Sequence, residues 1–142
     1  MKERHIELVQ SSFTKVAPQA VSCSVVFYRK LFEVEPELKS LFRNDIHVQG
    51  IMLMKVLSMA VNSLYDLSSI QKDLRELGQR HENYGVQERH YQIIENALIE
   101  MLKDVLADGF SSELESAWRA VYRTISLIMK GEKAAGMLEV EA

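Results

Sequence analysis

The chain has one cysteine, two prolines and six glycines in 142 residues, and each scarcity excludes something. A lone Cys23 cannot form an intrachain disulfide and fits a reducing, cytoplasmic setting. Few breakers leave room for long helices, and no run of β-branched residues alternates with polar ones, so no strand signal exists. The densest apolar stretch, Ile51 to Val61, contains Lys55 and Ser58 and falls short of the roughly 20 residues that span a bilayer. The opening Met1-Lys2-Glu3-Arg4-His5 lacks the apolar core of a secretion signal. Charge of one sign is also missing. Seventeen basic and 20 acidic residues are interspersed and sum to -3, so no basic stripe for nucleic acid appears. What remains is ordinary: 47% hydrophobic and 26% charged. The length suits one domain, which buries about 68–70% of its unfolded surface.

Helical periodicity runs almost without interruption, and punctuation divides it. A first helix is expected from about Lys2 to Val16. A second starts near Pro18, since proline fits a first turn, and carries Ala20, Ser24, Phe27, Tyr28 and Leu31 on one face. Pro36 opens a short piece ending at Phe42, before a polar loop at Arg43-Asn44-Asp45. A long helix follows from about Val48 to Leu64, with Gln49, Leu53, Val56, Leu57, Ala60 and Leu64 inward. Ser68 and Gln71 have the spacing of a capping box and start a helix that ends at His81. Gln87 to Ala107 is amphipathic through Tyr91, Ile94, Leu98, Met101, Leu102 and Val105, and Gly109 breaks it. Ser111 or Ser112 caps a last helix carrying Leu114, Trp118, Tyr122, Ile125 and Met129. Met52, Met54, Met59, Met101 and Met129 read as core filler. Seven helices of unequal length make an all-α domain over 1–130, with a flexible tail at 131–142.

His81 carries the most chemical information. Ile70, Leu74, Leu77 and His81 are spaced four, three and four apart and share one helix face. The helix breaks just after it, at Glu82-Asn83-Tyr84-Gly85-Val86. A histidine on an inner face beside a break can offer a ring nitrogen to a group held in the core, haem iron among them. It can equally be a hydrogen-bonded core residue. With no Cys-x-x-Cys-His, any haem would be held non-covalently. Tyr28 and Gln49 also fall on inner faces, where polar side chains need partners. Either they hydrogen-bond a ligand, or Tyr28 bonds a backbone carbonyl and Gln49 turns to water. His47, just before Gln49, reads as a solvated residue, with an internal sixth iron ligand as its rival. His5 and His90 read as surface or helix-terminal residues.

The ordered set resembles a globin. Pro36 followed by Phe42 is similar to the family's proline at the short C helix and its haem-stacking phenylalanine. Leu77-Gly78-Gln79-Arg80-His81 with Tyr84-Gly85-Val86 resembles the end of the F helix and the corner after it. His90-Tyr91 and Ala117-Trp118-Arg119-Ala120-Val121-Tyr122 resemble the last two helices of single-domain bacterial globins and of the globin module of flavohaemoglobins. The likeness covers about Ile6 to Met129. It implies a globin fold around non-covalent haem b, with His81 as the proximal iron ligand and Phe42 stacked on the porphyrin. Leu77 and Val86 would pack the proximal face and Leu53 the distal face, with Leu57, Tyr91 and Leu98 also against the cofactor. Tyr28 and Gln49 take the distal positions, a pair similar to flavohaemoglobins. Tyr91 matches the tyrosine those proteins place near the proximal histidine. Their partner glutamate is unmatched: Lys133 falls there, with Glu132 one residue earlier.

The resemblance implies a protein that binds O2, NO and CO at haem iron and releases O2 slowly. A second reading is nitric oxide dioxygenation. The sequence stops after the globin module, so a separate reductase would be needed. A redox or gas sensor with an internal sixth ligand is an alternative. From a different class, a haem-free helical interaction module would make the apolar stripes plain core. Storage, delivery, sensing and detoxification share one site, and residue types alone do not separate them.

Overall fold

The structure is a computed structural model that describes residues 1–41 and 45–131. Six α-helices occur among the described residues: α1 (Glu3–Val16), α2 (Ala20–Val34), α3 (Ile46–Asn62), α4 (Gln71–Asn83), α5 (Glu88–Leu106) and α6 (Ser112–Met129). The expected seventh, from Pro36, is a 3₁₀ segment, Pro36–Leu41. Six residues are too few for a stable α-helix but suit the tighter winding. Phe42 lies outside the described residues, as do Arg43, Asn44 and the tail 132–142. No helix among the described residues is long and apolar enough to cross a membrane.

The helices form because their apolar residues recur at helical spacing and have a common core to enter. In α1, Ile6, Val9, Phe13 and Val16 are buried. In α2, the buried set is Cys23, Ser24, Phe27, Tyr28 and Leu31. α2 packs on α3 and α5, α1 on α6, and α4 on α6. Trp118 is fully enclosed; its Nε1–H donates to Ser12 Oγ at 2.9 Å, and its ring lies 6.3 Å from that of Phe13. Glu95 is 2% exposed on α5. Its carboxylate accepts from Arg119 Nη1 at 2.5 Å and from Arg123 Nε and Nη2 at 3.2 Å, which joins α5 to α6.

Several helix ends differ from the sequence reading. Ser68 does not cap α4; it sits in a 3₁₀ turn, Leu67–Ile70, and its hydroxyl donates to Asp66 Oδ1. Ser111 rather than Ser112 caps α6, accepting from Leu114 N–H at 3.1 Å. α3 begins two residues early because Asp45 caps it, accepting from Val48 N–H at 2.9 Å. Its inward face is the expected one and is wider: Leu53 and Leu57 pack against the core and Ala60 is buried, with Gly50, Met54 and Val61 buried as well. Met52, expected in the core, is 50% exposed.

α5 ends at Ala107, ahead of Gly109. Ala107 has φ +47° and ψ -118°, a region that glycine alone enters without strain. Ala107→Gly relieves strain of order 1–3 kcal/mol, partly offset by the freer unfolded chain. The expected gain is about 1 kcal/mol, or a rise of a few degrees in Tm. Thermal unfolding followed by circular dichroism checks it; an unchanged or lower Tm contradicts the strain.

Candidate functional site

His81 lies two residues before the end of α4, a turn beyond Leu77 and Gly78. Gly85, at φ +101°, reverses the chain, and Val86 N–H returns to the His81 carbonyl at 2.9 Å. That bond closes the corner and sets Val86 beside the histidine. The position of α4 itself depends on Gly78. A Cβ there would lie 2.0 Å from the Met129 carbonyl oxygen of α6, so only glycine allows the two helices to approach this closely. Gly78→Ala is expected to push α4 off α6 at a cost of about 1–3 kcal/mol, readable as a lower urea midpoint. Retention of the wild-type midpoint would show that the contact is loose.

α2, α3, α4 and α5 converge on a cavity of about 390 Å³. α2 contributes Phe27, Tyr28 and Leu31, and α3 contributes Gln49, Met52, Leu53 and Val56. Leu77, Arg80 and His81 come from α4, with Tyr84 and Val86 from the corner and Ile94 from α5. Six residues singled out from sequence therefore line one hollow: Tyr28, Gln49, Leu53, Leu77, His81 and Val86. Three others do not. Leu98 is in the core, Leu57 packs half-buried against it, and Tyr91 borders a different, polar groove. In that groove Lys130 lies 4.5 Å above the Tyr91 ring and pairs with Glu88, and Tyr122 Oη donates to the Tyr91 carbonyl at 2.8 Å. Glu132 and Lys133, the residues near the implied glutamate position, lie outside the described residues. His47 is exposed and is not part of the lining.

Chemically the cavity is apolar with a few placed polar groups. Burial, and then the charge of Arg80, hold the His81 imidazolium below its ordinary pKa, so the ring is neutral at neutral pH. A neutral imidazole is the form that binds a metal. Neither ring nitrogen has a hydrogen-bond partner among the described residues. Tyr28 is buried, which pushes its pKa up to about 12 and keeps the phenol protonated. Its hydroxyl donates to the main-chain carbonyl of Gln49 at 3.2 Å. The Gln49 side chain borders the cavity without being held by that bond. The residues fit haem. They offer one neutral nitrogen donor, apolar walls, two hydrogen-bonding side chains and one guanidinium, in a volume within the usual range of about 300–1,000 Å³ for small-molecule sites.

Arg80, Met52, Tyr84 and Ile94 also line the cavity and were not assigned to the site from sequence. Arg80 adjoins His81 and could have been noticed; the others depend on how helices cross. His90, read as a surface or helix-terminal residue, lies in the first turn of α5 and is 2% exposed. Its Nδ1 accepts from Gln87 N–H at 2.8 Å, and its Nε2 lies 3.7 Å from Glu37 Oε1. Glu35, Glu37 and His90 are close enough to surround a cation. The chemistry opposes one. A filled Nδ1 acceptor leaves the proton on Nε2, and Arg89 already pairs with both carboxylates.

The globin family model matches residues 25–129 of the chain. A flavohemoprotein of Vibrio cholerae is 24% identical over 143 residues, which is 98% of this chain but 36% of that protein; this chain thus spans about a third of that relative. Neuroglobin-2 of Oncorhynchus mykiss is 28% identical over 145 residues, covering 91% of this chain and 90% of the relative. Among solved structures, an engineered carbene transferase, built on a protein named as a nitric oxide dioxygenase from Rhodothermus marinus, superposes with a TM-score of 0.82 at 28% identity, over 89% of each chain. The family model spans well over half of the sequence, the fold superposes on that neighbour over most of the chain, and the chain belongs to the globin family.

Proposed function

We propose that this chain is a haem-b globin that binds dioxygen, and also NO and CO, in the cavity described above. Haem supplies the iron at which such diatomics bind. The observation that carries the reading is the shared cavity: a neutral His81 from one helix, with no hydrogen-bond partner among the described residues, and the polar pair Tyr28 and Gln49 from two others. His81 holds the iron. Leu77, Val86 and Leu53 exclude water from the faces of the ring. The exposed Arg80 is placed to meet a carboxylate of the cofactor.

The distal pair is the basis for slow release. Gln49 can donate its amide N–H to a diatomic without giving up a bond to any of the described residues. Tyr28 must first turn its hydroxyl from the Gln49 carbonyl, which costs about 0.5–1.5 kcal/mol, to gain about 1.5–3 kcal/mol from a partly charged acceptor. A second reading, nitric oxide dioxygenation, draws on the name carried by the parent of the Rhodothermus marinus neighbour. It needs one electron per turnover, hence a reductase.

Thermal stability with and without added haem tests the binding itself. A ligand held only by the native state raises stability by about 2.7 kcal/mol at 100 times its Kd. A clear rise in Tm with stoichiometric haem is expected. No rise returns the chain to the haem-free interaction module.

A further inference from the structure

α3 is apolar on two sides. Its inward side supplies Leu53, Met54, Val56 and Ala60 to the core and the cavity. Its outward side carries Val48 (40% exposed), Ile51 (62%) and Met52 (50%), followed by Lys55. Those four positions are i, i+3, i+4 and i+7, so they form one continuous stripe. A second apolar side on a helix is normally covered as the first is, yet nothing among the described residues covers that stripe. Beside it, α2 meets α3 at Ser24 and Gly50 and leaves Val21 (64%) and Val25 (51%) open.

We infer that the α3 stripe is an interface with a second copy of this chain, the two α3 helices pairing antiparallel about a two-fold axis that crosses the stripe at the level of residue 50. The charges and the apolar residues both select that occupant. Reversing one copy about residue 50 sets position 45 against 55 and 48 against 52. Lys55, which has no ion pair among the described residues, then faces Asp45 of the second copy, and Val48 faces Met52. The exchange occurs twice, once on each side of the axis, as a two-fold interface requires. Ile51 lies next to the axis and meets its own counterpart. The stripe from Asp45 to Lys55 is about 15 Å long at 1.5 Å per residue. Residues 46–62 contain no acidic group, so no like charge opposes the pairing from within α3. His47 is the other titratable group on this part of the helix and is exposed. Met52 belongs to both the stripe and the cavity, so pairing would place an intersubunit contact against the cavity wall. The inference does not depend on the cofactor.

Sedimentation equilibrium of the full chain at several concentrations and salt levels tests it. A monomer–dimer equilibrium that weakens with salt is expected. Lys55→Glu and Asp45→Lys should each weaken it by about tenfold or more, since each reverses two symmetric pairs. An equimolar mixture of the two variants should regain the dimer, because each then presents the charge the other lacks. Asp45→Lys also removes the cap of α3, so circular dichroism of each variant checks folding; Ile51→Glu, which touches no cap, should abolish pairing. A wild-type chain that stays monomeric at high concentration overturns the inference. So does a dimer indifferent to all three substitutions, or a stripe that instead carries the protein onto anionic vesicles as a monomer.

Discussion

Replacing His81 with glycine is expected to remove the proposed protein ligand of the haem iron, and with it most of the affinity for haem. Altering a group that only supports a metal ligand lowers affinity by about 10–100-fold, so losing the ligand itself should exceed that. The substitution costs the apoprotein little, since a glycine near a helix end is unfavourable by at most about 1 kcal/mol. Millimolar imidazole should restore the wild-type optical spectrum by occupying the space the side chain left. That rescue separates a ligand from a residue that merely packs. If the variant binds haem with unchanged affinity and spectrum, another residue holds the iron and the assignment of His81 fails.

The second large effect concerns release of dioxygen. Tyr28→Phe together with Gln49→Leu removes both donors, and the dissociation rate should rise roughly ten- to a hundredfold. The two single variants should differ. Tyr28 already spends its proton on the Gln49 carbonyl at 3.2 Å, so its net gain from a ligand is the smaller of the two. Gln49→Leu alone should therefore carry more of the change than Tyr28→Phe alone. Stopped-flow displacement of O2 by CO measures each rate. An unchanged rate in the double variant would mean that neither side chain touches the ligand. A larger effect for Tyr28→Phe would mean that its hydroxyl leaves the carbonyl at little cost.

The sequence exposed some of this because helical spacing is a strong signal where one face is apolar. The face of α2 with Phe27, Tyr28 and Leu31, and the stripe ending at His81, were readable for that reason. The break after His81 was readable because Gly85 must take a positive φ. Periodicity does not say what an inward face meets. Leu98 and Ile94 share a face of α5 one turn apart, yet Ile94 borders the cavity and Leu98 the core. Tyr91, one residue beyond His90, turns into a different groove. Glu95 could not be recognised as buried, because the arginines that stabilise it lie 24 and 28 positions away. Met52 shows the converse failure: a residue chemically suited to the core is half exposed and borders the cavity instead. The strain at Ala107 had no signal at all, since nothing in the local sequence demands a positive φ there.

The optical spectrum of the purified protein supplied with haem, recorded ferric, ferrous and after exposure to oxygen, tests the central claim most directly. The account predicts a five-coordinate ferrous spectrum, with His81 as the protein ligand, that converts to a stable oxygen-bound one. A six-coordinate ferrous spectrum would mean that a side chain closes the site. Absence of haem uptake would contradict the proposed function altogether.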